Sequence, residues 1–240
     1  LAEGTLLSHL VELRSRLLII AISVVVVFIC MLPFSRDIFT VISDPLREVL
    51  PGNAMIATAV ASPLLTPFKL TFFAALFLVM PIVLFQVWTF IAPGLYKKEK
   101  RFAIPLFMTS ILLFYSGIAF AYFVVFPLMF GFFTSVAPEG VEVQTDIAQF
   151  LDFITTIVFA FGIAFEVPVA TVLVVWAGLT DTKKLGKARP YVFLMAFVAG
   201  MFLTPPDIIS QTLLAVPVYL LYELGIIMSK VFVIKKTDDE

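Results

Sequence analysis

Apolar runs long enough to cross a bilayer recur along this chain, and in the clearest of them, Phe153–Leu179, Glu166 is the only charge. Hydrocarbon offers a backbone no hydrogen-bonding partner, so spanning segments must be helices or strands of a closed barrel. Uncharged runs of eighteen or more residues select helices. Composition agrees: the chain is 61% hydrophobic and 14% charged, with 27 Phe among 240 residues, which is far outside the soluble range. The fold class is therefore all-α, a polytopic membrane protein forming one integral membrane domain over residues 1–240.

Six spans are expected, at about 17–32, 68–92, 102–133, 147–179, 190–204 and 208–228. The fifth starts at Pro190, a favourable first helical position, and stops at Pro205-Pro206. It offers about 14 residues, or ~21 Å, against ~30 Å of hydrocarbon. Spans three and four could reach ~45 Å. Unequal lengths of this kind imply tilted long helices and a bilayer thinned over the short one.

Basic residues fix the expected orientation. Arg14 and Arg16 precede span one, and Lys97, Lys98, Lys100 and Arg101 lie between spans two and three. Lys183, Lys184, Lys187 and Arg189 lie between spans four and five, and Lys230, Lys235 and Lys236 in the tail. The alternate connections hold only Arg36 and Arg47, with Lys69 at a span edge. The positive-inside rule then makes both termini cytoplasmic. The N-terminus imitates a signal peptide, but no small-x-small site follows, and it reads as a retained first span.

Leu6, Leu10, Leu13 and Leu17 recur at helical spacing, so residues 5–16 are expected to form an amphipathic surface helix that turns into span one. In the first outer loop, Asp44-Pro45 reads as an N-cap followed by proline at the first helical position, opening a short helix over 46–50. The loop 136–149 is acidic, with Glu139, Glu142 and Asp146.

The candidate chemistry is sparse. His9 is the single histidine and lies outside the spans, and no phosphate-binding glycine loop is present, so no cofactor, metal or enzymatic activity is expected. Glu12 reads either as an i,i+4 partner of Arg16 or as a ligand-binding carboxylate. Glu99, a lone acid among four bases, either balances its neighbours or is aimed at a cation, for which a guanidinium is the best geometric match. Thr204-Pro205-Pro206-Asp207 fits a capping-box variant with Asp207 at the third helical position. Gln211, one turn further on, could hydrogen-bond across helices. Glu166 is expected to be neutral at neutral pH, with Pro168 opening the helix beside it.

Four segments taken together resemble TatC, the polytopic subunit family of the twin-arginine protein translocase. They are residues 8–17 (SHLVELRSRL), residues 90–96 (FIAPGLY), Phe165-Glu166-Val167-Pro168, and Leu203-Thr204-Pro205-Pro206-Asp207. The resemblance implies six helices in a cupped, glove-like bundle in the bacterial cytoplasmic membrane. It implies a receptor for twin-arginine signal peptides of folded cargo, which nucleates assembly with single-span TatA- and TatB-type subunits and is driven by the proton-motive force. Glu12 and Glu99 would receive the paired arginines, with Arg14, Phe90 and Leu95 in the same surface. Glu166 and Gln211 would serve partner docking within the membrane, and Asp207 and Pro45 an outer-face role or capping. Oligomerisation and lipid contact are implied, and nucleic acid is not. Two other classes remain on residues alone. A proton-coupled solute transporter would use Glu166 as its proton site but should show an inverted repeat, which is absent. A structural scaffold would leave Glu12 and Glu99 replaceable.

Overall fold

The computed structural model describes residues 2–47, 55–91, 100–136, 145–204 and 207–238, with side chains over 10–43, 55–90, 104–136, 145–204 and 207–231. Nine helices occupy nearly all of the described residues: α1 Ala2–Met31, α2 Ser35–Arg47, α3 Ser62–Ile91, α4 Lys100–Phe120, α5 Phe126–Ser135, α6 Ile147–Ala164, α7 Val167–Trp176, α8 Thr182–Leu203 and α9 Ile208–Asp238. A 3-10 turn, Leu32–Phe34, links α1 to α2, and a π-helical segment, Ala121–Val125, links α4 to α5. Two two-residue strands, β1 Met55–Ile56 and β2 Thr145–Asp146, pair in parallel, which the sequence did not suggest. The fold is an all-α polytopic membrane protein.

Among the described residues, five stretches are long and apolar enough to cross a membrane: Leu10–Ser43, Ser62–Phe90, Ile104–Ser135, Ile147–Trp176 and Ile208–Val231. Their outward surfaces are apolar, as lipid-facing surfaces must be; Leu17, Ile22, Val25, Val26 and Ile29 of α1 are all exposed. Several hydroxyls inside the spans are satisfied by their own helix. Thr71 donates to the Pro67 carbonyl, Ser116 to Leu112 and Ser229 to Gly225, each at 2.7 Å, so these three hydroxyls need no partner from the lipid. The remaining expected span lies in α8, whose apolar part after Pro190 is shorter than the ~20 residues a full crossing needs.

Four expected boundaries need correction. α8 does not start at Pro190 but at Thr182, where the Asp181 carboxylate accepts from the Lys184 amide at 2.7 Å. This N-cap satisfies an otherwise orphaned donor and outweighs the interior proline. α1 is continuous across residues 16–17, so the expected turn between surface helix and span is absent. Asp44 and Pro45 lie inside α2 and do not open a new helix. The amphipathic spacing of Ile38, Phe39 and Ile42 carries one helical stripe through that region. Asp207 precedes α9 as its N-cap, not its third residue: its Oδ1 accepts from the Ser210 amide at 2.7 Å. Thr204 turns back instead, donating to the Gly200 carbonyl at 2.9 Å.

The chain groups into two compact units. One comprises residues 1–48, 52–111 and 144–151; the other comprises 49–51, 112–143 and 152–240. In the first, α1 and α2 pack on α3 over a core that includes Val24, Leu70, Ala75, Val79 and Trp88. In the second, Phe114, Phe126, Met129, Ile157 and Phe161 are fully buried. Phe153 packs there against Phe126, Phe130 and Phe133, with ring centroids 5.8–6.3 Å apart.

Within the second unit, α8 and α9 are locked by a bidentate pair. Arg189 Nε and Nη2 lie 2.7 Å from Glu223 Oε1 and Oε2, and the Tyr219 hydroxyl donates to Oε1 at 3.0 Å. The Tyr222 hydroxyl donates to the Leu185 carbonyl at 2.9 Å. Both charged side chains are partly exposed, so Arg189→Gln or Glu223→Gln should each lower stability by about 0.5–1 kcal/mol. A double-mutant cycle on unfolding in detergent should give a non-zero coupling; fully additive losses would show that the pair contributes nothing.

Candidate functional site

The expected residues fall at two places. In the first unit, Glu12 lies one helical turn before Arg16 on α1, with Arg14 exposed between them. The Arg16 guanidinium pairs with Glu12 through Nη2 and Oε1, the i,i+4 contact that the spacing allowed. It also reaches across to α3. Nη1 donates to the Gln86 carbonyl and Nη2 to the Thr89 carbonyl, each at 3.2 Å. Thr89 lies in the last turn of α3 and Gln86 one turn before it, close to the end where the helix dipole places partial negative charge, so a cation is favoured there. Arg16 thus pins α1 to the end of α3, one residue before Phe90, which is 36% exposed. The side chain of Glu12 is 38% exposed and that of Arg16 is 15% exposed, leaving the carboxylate as the accessible partner. Leu95 and Glu99 lie outside the described residues.

The second place is the break between α6 and α7. Pro168 has no N–H to give the Ala164 carbonyl, and α6 ends at that residue. The chain tightens through one turn. The Glu166 amide donates to the Ile163 carbonyl at 3.0 Å, and the Glu166 carbonyl accepts from Ala170 at 2.8 Å as α7 begins. Glu166 is therefore the N-cap residue of α7, by backbone and not by side chain. Its Oε1 is buried from solvent. Phe165, beside it, packs on Phe120 with ring centroids 5.6 Å apart. The opening of the helix expected from Pro168 is present.

Gly225 of α9 packs tightly on α7: a Cβ there would lie 2.9 Å from Pro168 Cα. Gly200 of α8 faces the Gln211 backbone, with its nearest atom 3.5 Å from an added Cβ, so Gln211 sits at the α8–α9 contact. Asp207 Oδ2 and Ser210 Oγ are buried and have no hydrogen-bond partner among the described residues. The side chain of Pro45 lies outside the described ones.

Sequence reasoning missed Asp146, which it counted only among the loop acids. Its Oδ2 accepts from the Thr58 amide at 2.9 Å and from the Thr58 hydroxyl at 2.7 Å. Its Oδ1 accepts from the Ala148 and Gln149 amides at 2.9 and 3.1 Å. These bonds, the Thr58 hydroxyl foremost, hold its carboxyl at about 2, against an ordinary 3.8. One carboxylate thereby caps α6 and fastens β1 to β2. At the same end of α3, a cavity of about 570 Å³ is lined by Phe28, Leu65, Phe68, Phe72 and Leu151 with Lys69, and includes none of the expected residues. Among the described residues no cluster of His, Cys, Asp and Glu could hold a metal ion.

Residues 8–217 match the family model for the Sec-independent protein translocase protein TatC. The chain is 61% identical over 222 residues to a TatC protein of Azotobacter chroococcum mcd 1, covering 92% of this chain and 87% of that one. It is 56% identical over 236 residues to TatC of Escherichia coli strain K12, covering 98% and 92%. Its fold is similar to a crystal structure of the twin-arginine translocase receptor TatC, with a TM-score of 0.83 and 34% identity over 93% of this chain and 98% of that one. Four ordered motifs, the helical architecture and these likenesses agree, and the chain belongs to the TatC family of Sec-independent protein translocase proteins.

Proposed function

We propose that this chain is the signal-peptide receptor subunit of a twin-arginine translocase and that the α1–α3 junction is its recognition surface. The observation that carries this is the half-exposed Glu12 carboxylate, paired with an arginine that bonds the Thr89 carbonyl near the end of α3, one residue before the exposed Phe90. A carboxylate in that setting suits a guanidinium, which presents a planar fork of donors, better than a lysine ammonium. Glu99, Arg14 and Leu95 complete the surface. Glu166 and Gln211 serve docking of single-span TatA- and TatB-type partners, and Asp207 and Pro45 have an outer-face or capping role. The chain works as one integral domain of a bacterial cytoplasmic membrane, in an oligomeric complex with lipid, with both termini cytoplasmic. The proton-motive force drives transport. No cofactor, enzymatic step or nucleic acid takes part.

The test is peptide binding. Purified protein in nanodiscs, at fixed salt, should bind an Arg-Arg signal peptide more tightly than its Lys-Lys version. Glu12→Gln and Glu99→Gln should each abolish that preference. Equal binding of the two peptides by the unaltered protein would overturn the receptor assignment.

A further inference from the structure

We infer that Arg16 is a positioning residue for recognition: it fixes the Glu12 carboxylate against α3 and stays in place when a ligand guanidinium arrives. The inference rests on the receptor reading above and adds a residue to which that reading gives no role.

The geometry distinguishes a positioner from a placeholder. A placeholder would be an accessible arginine held mainly by Glu12, ready to leave when a better partner appears. Arg16 is the reverse. It is the less exposed member of the pair, and two of its three bonds go to main-chain carbonyls of Gln86 and Thr89. Those acceptors belong to the helix end and remain whatever Glu12 does. Arg16 Nε is buried as well, so the guanidinium stem lies within the α1–α3 junction.

Glu12 gains direction from this anchor. A carboxylate has two oxygens and about four acceptor sites, and a guanidinium has five donors. Glu12 can therefore engage Arg16 through Oε1 and still accept from a second guanidinium. Removing Arg16 takes away the bond that holds Oε1 towards the end of α3, and a ligand would have to order that oxygen on binding. Ordering one such side chain is worth roughly a three- to tenfold change in affinity. Lysine at position 16 keeps a charge for Glu12, but its single ammonium cannot present the planar fork that spans two carbonyls and a carboxylate.

The test is a double-mutant cycle on Arg-Arg and Lys-Lys signal-peptide binding in nanodiscs, with R16Q, R16K, E12Q, E12Q/R16Q and E12Q/R16K. Thermal unfolding is followed in parallel. R16Q is expected to weaken Arg-Arg binding about three- to tenfold, with Lys-Lys binding little changed. R16K should fall between R16Q and the unaltered protein. In the E12Q background, R16Q should add no further loss, because Arg16 acts through Glu12. An equal loss in both backgrounds would make Arg16 only a helix fastener and overturn the inference. Tighter binding by R16Q would make it a displaced competitor, with the same consequence. An Arg-Arg preference that persists undiminished in R16Q would sink this inference alone, whereas no preference in the unaltered protein sinks the receptor reading itself. Should R16Q fail to fold, the cycle with R16K decides.

Discussion

Replacing Gly117 by alanine should destabilise the protein by about 2–3 kcal/mol, near the upper end for overpacking a tight contact. A Cβ built at Gly117 would lie 2.5 Å from the Phe161 carbonyl oxygen and 3.0 Å from Phe165 Cβ. Both neighbours belong to the chain entering the α6–α7 break, and one is main chain that no rotamer change can move aside. Gly162, on the facing helix, meets the Phe114 ring at 2.7 Å, and a ring can turn, so Gly162→Ala should cost less, about 1–2 kcal/mol. Gly131 has nothing within 4 Å of an added Cβ, and alanine there should be neutral or stabilising by up to about 1 kcal/mol through helix propensity. Unfolding in detergent measures all three. Equal midpoints for the Gly117 and Gly131 variants would show that the α4–α6 contact yields without cost. Because the same clash presses on Phe165, Gly117→Ala should also displace Glu166, the next residue along.

The features that local chemistry dictates were legible in the sequence. The α6–α7 break follows from Pro168, because a missing N–H acts within one turn. Five of the expected membrane spans follow from apolar length. Contacts reaching across the chain were not legible. Arg16 announced its i,i+4 partner Glu12, but nothing local indicates the carbonyls of Gln86 and Thr89, which come into reach only when α1 packs on α3. Arg189 and Glu223 are separated by 34 residues, and their pairing depends on the α8–α9 hairpin closing. Pro190 was misread because proline is compatible with either a first helical turn or a strained interior, and the Asp181 cap decides between them. In the recognition site the near-neighbour half of the Glu12–Arg16 arrangement was readable. The half that orients it was not.

Asp146 supplies the second large effect, because a single substitution can separate its two roles. In Asp146→Ala all four donors lose their acceptor, and exchange at the Thr58, Ala148 and Gln149 amides should quicken by on the order of tenfold or more. Asparagine is more informative. Its amide accepts on one side only, and the Thr58 hydroxyl can reverse to accept from the new NH2, whereas backbone amides can only donate. Asp146→Asn should therefore keep the α6 cap protected and lose protection at the Thr58 amide. The pH dependence has a definite sign. The folded carboxyl sits at about 2, below its ordinary 3.8, so the unfolded chain binds the proton more readily. Stabilisation by this group is complete above pH 3.8 and is lost as pH falls towards 2. The fastening of β1 to β2 thus persists in mild acid. Hydrogen exchange from pH 5 downward should show flat Thr58 protection to about pH 4 and a decline below it in the unaltered protein, after correction for intrinsic exchange rates. The asparagine variant should show no such decline. Unchanged Thr58 protection in that variant would mean the strand pair holds without the carboxylate, and Asp146 would then be no more than a helix cap.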